Sequence, residues 1–110
     1  MTFFKFGLSM SLMVAAAPAV AQTELGTLRY ICDRDVEIPV TYVTASDLQV
    51  AVLTVEVGQI TLLGEPSASG ARYGWPSDGA NYVWWSKGTE ATLLWKEGGQ
   101  ETVLLNCVEM

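Results

Sequence analysis

The chain has 110 residues, six basic and 12 acidic side chains, no histidine and two cysteines, for a formal net charge of −6. This length suits one domain. The acidic balance argues against a nucleic-acid partner, whose phosphates need a basic surface. The lack of histidine removes the base of any Ser-His-Asp or Cys-His nucleophilic centre.

The opening MTFFKFGLSMSLMVAAAPAVAQ sets one charge, Lys5, ahead of an apolar run from Phe6 to Ala17, with small residues at Ala19 and Ala21. That is the layout of a secretory signal peptide, and cleavage is expected after Ala21. As a membrane span the run is poor: Gly7, Ser9 and Ser11 interrupt it, and it falls short of the roughly 20 apolar residues needed. No cysteine follows the Ala19-Val20-Ala21 box, so lipoprotein acylation has no thiol to use. The expectation is a signal peptide over 1–21 and one periplasmic or secreted domain over 22–110, with no stable membrane anchor. Losing Lys5 leaves five basic against 12 acidic residues, a balance of −7. Such a domain associates readily with a basic partner.

A mature domain of 89 residues buries little more than about 60% of its unfolded surface, so its core alone gives thin stability. Cys32 and Cys107 stand near its two ends and, in an oxidising compartment, are expected to form one disulfide. On the chain-entropy argument, a loop of this length is worth roughly 4 kcal/mol. A two-cysteine metal site is the alternative, and without histidine it lacks partners. No metal or cofactor is expected.

From Gly26 onward, short runs rich in Val, Ile, Thr, Tyr and Trp alternate with Gly, Pro, Asp and Ser. These are strand and turn signals. Strands are predicted at Leu28 to Cys32, Val36 to Thr44, Gln49 to Val55, Gln59 to Leu63, Ala71 to Trp75, Asn81 to Ser86, Thr89 to Trp95 and Glu101 to Cys107. Turns are predicted at Asp33-Arg34-Asp35, Ser46-Asp47, Val57-Gly58, Ser77-Asp78-Gly79 and Gly98-Gly99. This even spacing fits an all-β antiparallel barrel or sandwich. Ser46 to Val55 also carries helical spacing, but its β-branched Val50, Val52, Thr54 and Val55 favour a strand. Pro39 cannot donate to a ladder, which places the second strand at an edge or a bulge.

The stretch SASGARYGWPSDGANYVWWSKG, Ser67 to Gly88, holds the candidate chemistry. It contains neither a GxGxxG nor a P-loop pattern, so Gly70 and Gly74 make no phosphate cradle. Carboxylates such as Asp78, Glu90 and Glu97 at turns read as solvated surface, and no catalytic residue is assigned. Strand alternation puts Tyr82, Trp84 and Ser86 on one face and Val83, Trp85 and Lys87 on the other. One tryptophan should therefore fill the core while the other lies outside or under a loop. Lys87, just before Gly88, can present its ammonium at the rim. The plainer reading makes Lys87 a charged edge guard and Ser67 and Ser69 turn residues.

SASGARY (Ser67 to Tyr73) and YVWWSKGTEATL (Tyr82 to Leu93) resemble the two signature segments of the MliC and PliC family of c-type lysozyme inhibitors. LRYICD around Cys32 and VLLNC ending at Cys107 resemble its opening and closing strands. The resemblance implies an eight-stranded antiparallel β-barrel that binds a c-type lysozyme and blocks its active-site cleft. It also implies that Ser69 and Lys87 enter the cleft and engage the two catalytic carboxylates. Ser67 ranks second to Ser69, and Gly70, Arg72 and Tyr73 belong to the same partner-binding segment. The stretch Gly74 to Asn81 is longer than the family's usual connection. A module of another class, binding glycan through Trp75, Trp84 or Trp85, is the alternative function.

Overall fold

Period-two alternation gives each Val-, Thr- and Tyr-rich run one inward face. A computed structural model describes residues 23–56, 58–77 and 79–110. The signal peptide expected over 1–21, Val57 and Asp78 lie outside the described residues. Eight strands follow in chain order: β1 (Glu24–Cys32), β2 (Glu37–Ala45), β3 (Leu48–Val55), β4 (Gly58–Glu65), β5 (Ala71–Gly74), β6 (Asn81–Lys87), β7 (Glu90–Glu97) and β8 (Gln100–Glu109). Each pairs antiparallel with the next, and β8 returns to β1, closing a barrel.

Ser46 to Val55 resolves as strand from Leu48 onward, pairing with β2 on one side and β4 on the other. Here branched side chains, which pack well on a pleated surface, prevail over helical spacing. Pro39 marks neither an edge nor a bulge: its strand has a neighbour on both sides, and its register with β1 has no shift. It sits opposite Arg29 of β1 in an unbroken register. The β2–β3 ladder begins one residue later, at Val40 opposite Leu53. A missing donor at position 39 therefore breaks no pairing with β3.

The closing seam is short. β1 meets β8 through Tyr30, Ile31 and Cys32, opposite Glu109, Val108 and Cys107, and the Met110 N–H donates to the Arg29 carbonyl at 2.9 Å just beyond them. The disulfide joins Cys32 to Cys107 within that seam, so the covalent bond sits where few ladder bonds hold the barrel shut.

Inside, Tyr30, Ile38, Val40, Leu53, Leu62, Tyr73 and Trp84 pack into one core. Trp84 is wholly inaccessible. Its Nε1 donates to the Tyr42 hydroxyl at 2.8 Å, which lies 2.8 Å from the Tyr30 hydroxyl. The Tyr30 ring meets the indole edge-on, with centroids 5.1 Å apart. Each polar tip thus keeps a partner, as buried Tyr and Trp require. Burial pushes the Tyr30 phenol far above its ordinary pKa, and the Tyr42 hydrogen bond adds to the effect. Burial also raises Tyr73, with Tyr42 close by.

Register fixes the geometry that matters for the signature segments. Ala71 pairs with Ser86, Arg72 with Trp85 and Tyr73 with Trp84. The ends of β5 and β6 nearest Ser69 and Lys87 therefore lie side by side. The long Gly74 to Asn81 connection closes the opposite end of this hairpin and leaves the relative placing of Ser69 and Lys87 untouched.

Candidate functional site

Between β4 and β5, residues 66–70 form a turn built on serine and glycine. The Ser67 hydroxyl donates to the Ser69 carbonyl at 2.5 Å and accepts from the Ser69 N–H at 3.4 Å. Serine hydroxyls in turns commonly close such local bonds to the backbone. Gly70 then turns with φ +67°, a conformation that favours glycine. Across from it, Lys87 and Glu90 flank a two-residue turn in which Gly88 has φ +59°.

Three contacts hold the two turns together. Trp85 Nε1 donates to the Ser69 carbonyl at 2.9 Å. The Ser86 hydroxyl donates to the Ala71 carbonyl at 3.4 Å. Gly70 packs directly against Ser86 and the Lys87 stem, where a Cβ would have no room.

The Lys87 ammonium lies 4.1 Å from the centroid of the Trp85 ring. Among the described residues, no carboxylate is within ion-pair distance of it. The Ser69 hydroxyl makes no hydrogen bond among them either. An exposed cation and an exposed hydroxyl thus share one end of the barrel, carried by backbone that is tied down.

Arg72 behaves differently. Its Nε meets Glu65 at 2.7 Å, and its Nη2 bonds Glu101. Burial works against the guanidinium charge, but the hydrogen bonds it donates to Glu65 and Glu101 outweigh that and hold the pKa above its ordinary value. The side chain thereby straps β4 to β8 across the outer face, with its Cζ 5.2 Å from the Trp85 centroid. Val83 and Leu94 face outward by alternation, yet both are buried, forming a small apolar patch outside the barrel core.

Ser67, Ser69, Gly70 and Lys87 are therefore exposed at the tip. Arg72 lies on the flank and is occupied by two acids, while Tyr73 points inward, tilted against Tyr42 at 5.6 Å. The sequence left Trp85 out of the tip, although its position two residues before Lys87 puts both side chains on one face. Chemically, the tip offers a cation and a hydrogen-bond donor that no acidic side chain among the described residues occupies. Among the described residues, no group of acids or cysteines has the arrangement of a metal site.

A disulfide-closed β-barrel that displays serine, glycine and lysine at one end defines a small binding domain. Residues 30–102 match the family described as membrane-bound lysozyme-inhibitor of c-type lysozyme, MliC, and the chain belongs to that family. Two relatives are named membrane-bound lysozyme inhibitor of C-type lysozyme. The one from Cupriavidus necator is 35% identical over 86 residues, covering 76% of this chain and 66% of the relative. The one from Pseudomonas aeruginosa is 34% identical over 97 residues, covering 86% of this chain and 72% of the relative. The chain thus spans about two thirds of the length of the first relative. Among solved structures, the barrel superimposes on Pseudomonas aeruginosa MliC in its crystal complex with hen egg white lysozyme. That match has a TM-score of 0.64 and 27% identity, covering 93% of this chain and 99% of the other.

Proposed function

We propose that this chain is an exported inhibitor of c-type lysozyme, with Ser69 and Lys87 entering the active-site cleft to engage the two catalytic carboxylates. The observation that carries the reading is the joined tip. Two turns distant in sequence meet there and expose the Ser69 hydroxyl and the Lys87 ammonium, neither with an acidic partner among the described residues. Family membership, the relatives' names and the lysozyme complex of the structural neighbour support the choice of partner.

A retaining glycosidase works through one carboxylic acid that protonates the leaving oxygen and one carboxylate that attacks or stabilises the sugar. An ammonium and a hydroxyl set between them satisfy both acceptors and exclude sugar and water. The inhibitor's surplus of acidic residues adds long-range attraction to a basic enzyme, which speeds encounter. Nothing is turned over; the protein acts by occupancy. The alkyl and small-residue segment over 1–21 and the disulfide support export to the periplasm or beyond, with 22–110 as the working domain.

The glycan-binding alternative has less support. Trp84 is wholly buried, and Lys87 and Arg72 lie against the Trp85 ring. Trp75 is exposed at the other end of the β5–β6 hairpin.

A lytic assay with hen egg white lysozyme, titrated with the 22–110 protein, tests the proposal. Lysis should fall to zero near one inhibitor per enzyme. Unchanged lysis at a large excess of the protein rules the proposal out.

A further inference from the structure

Lys87 ends in four rotatable bonds beside a tight turn, an arrangement that leaves its ammonium to sample a wide arc. Ordering such a side chain at the moment of binding costs affinity. The structure removes that cost in advance, through a residue that the site's own chemistry does not require.

We propose that Trp85 is the positioning residue of the tip: the face of its indole sets the Lys87 ammonium and its N–H sets the Ser69 carbonyl before any partner arrives. This rests on the reading of Ser69 and Lys87 as the inserting pair. The two contacts, 4.1 Å from ammonium to ring centroid and 2.9 Å from Nε1 to the carbonyl oxygen, come from one ring. An indole offers both a broad π face and an N–H donor at its edge.

The choice of an aromatic anchor has a chemical reason. A ring quadrupole attracts a cation without neutralising it, so the full charge stays available for a carboxylate. An acid in the same place would cancel it. Glu90 is the backbone partner of Lys87 across the turn, yet it forms no ion pair with it.

Trp85 is itself held from three sides. Its backbone pairs with Arg72 on β5 and Thr92 on β7. Its ring has the Arg72 guanidinium at 5.2 Å, and that guanidinium is clamped by Glu65 and Glu101. Rigidity thus passes from the Glu65–Arg72–Glu101 strap to Trp85, and from Trp85 to both inserting groups. The ring is half-exposed and stands outside the buried core, so core packing does not account for it.

The test compares Trp85→Phe, which keeps a π face and loses the N–H, with Trp85→Leu, which loses both. Each is made in the parent and in Lys87→Ala. In the parent, Trp85→Leu should inhibit hen egg white lysozyme about three- to tenfold more weakly than Trp85→Phe, the range of an exposed to partly desolvated cation–π contact. In the Lys87→Ala background that ratio should fall to about one, because no ammonium remains to be placed. An equal ratio in both backgrounds overturns the proposal, since a purely structural loss persists without Lys87. Proton NMR of the free protein gives a second arm that needs no lysozyme. The Lys87 side-chain methylene resonances should be shifted upfield by the ring in the parent and in Trp85→Phe, and should return to ordinary positions in Trp85→Leu. Ordinary positions in the parent also overturn it. Absence of inhibition by the parent protein is a different result, which removes the lysozyme reading and leaves the NMR arm to decide where the ammonium sits.

Discussion

Gly70 lies so close to Lys87 that a Cβ on the glycine would stand 2.6 Å from the lysine Cγ and on top of the Ser86 carbonyl oxygen. Glycine is needed twice there, for its φ of +67° and for the close approach. Gly88, in the neighbouring turn, has a similar φ but open space around it. Gly70→Ala should therefore cost about 2 to 4 kcal/mol of stability and weaken inhibition, whereas Gly88→Ala should cost only about 1 to 2 kcal/mol from its backbone conformation. Urea denaturation of the two variants compares them directly. Equal costs would show that the serine turn does not rest on the lysine turn.

The seam between β1 and β8 yields a second expectation. With only a short ladder there, loss of the Cys32–Cys107 bond by Cys32→Ser plus Cys107→Ser should cost about 2 to 5 kcal/mol. Amide exchange should speed up first at 30–32 and 107–109, ahead of the β2–β3 centre. An unchanged urea midpoint would contradict this.

Much of the barrel was legible because its strands are short and β-branched and their turns are marked by Gly, Asp and Ser. All eight strands lie where the sequence puts them, although β1 begins at Glu24 rather than Leu28 and β8 runs on to Glu109. Strand ends with few buried residues carry little pattern to read. Barrel closure was not visible in Pro39, because a missing donor says only that one pairing is absent, and the sequence does not reveal that the β3 ladder starts just beyond it. In the candidate site, alternation separated Trp84 from Trp85 correctly. The Arg72 strap was hidden, since it depends on Glu65 and Glu101, which lie 7 and 29 residues away and meet only through the barrel's curvature. Tyr73 shows the opposite hazard: it belongs to the signature segment, yet its ring faces the core, since alternation turns it away from Arg72.

The buried phenols set a behaviour at high pH. Tyr30 and Tyr73 both have folded pKa values raised above the ordinary value, near about 10 in an unfolded chain. The unfolded state therefore releases its phenolic protons first. Stability is full below about pH 10 and declines above it, by up to about 1.4 kcal/mol per pH unit for each tyrosine until the folded group also ionises. Tyr73→Phe should make the decline shallower, as seen in urea titrations between about pH 9 and 11. An identical slope in parent and variant would show that Tyr73 takes no part.

Binding should have its own pH dependence at the acid end. The general acid of a lysozyme-type site, when free, titrates near about pH 6. Lys87 placed beside it favours the ionised carboxylate and lowers that pKa in the complex. The complex then holds fewer protons than its separated parts, so affinity is full above about pH 6 and falls as pH drops below it, levelling off beneath the lowered pKa. Calorimetric titrations in buffers of different ionisation enthalpy count the protons released. Finding none near about pH 5 would place Lys87 away from the acid.

Whether Lys87 is the inserting cation is decided by the dissociation constants of the parent and Lys87→Ala proteins for hen egg white lysozyme. Losing one partner of a desolvated charge pair typically costs about 2 to 5 kcal/mol, so the variant should bind at least roughly thirtyfold more weakly, with its urea midpoint unchanged. A Lys87→Ala protein that binds as tightly as the parent would place Lys87 outside the cleft.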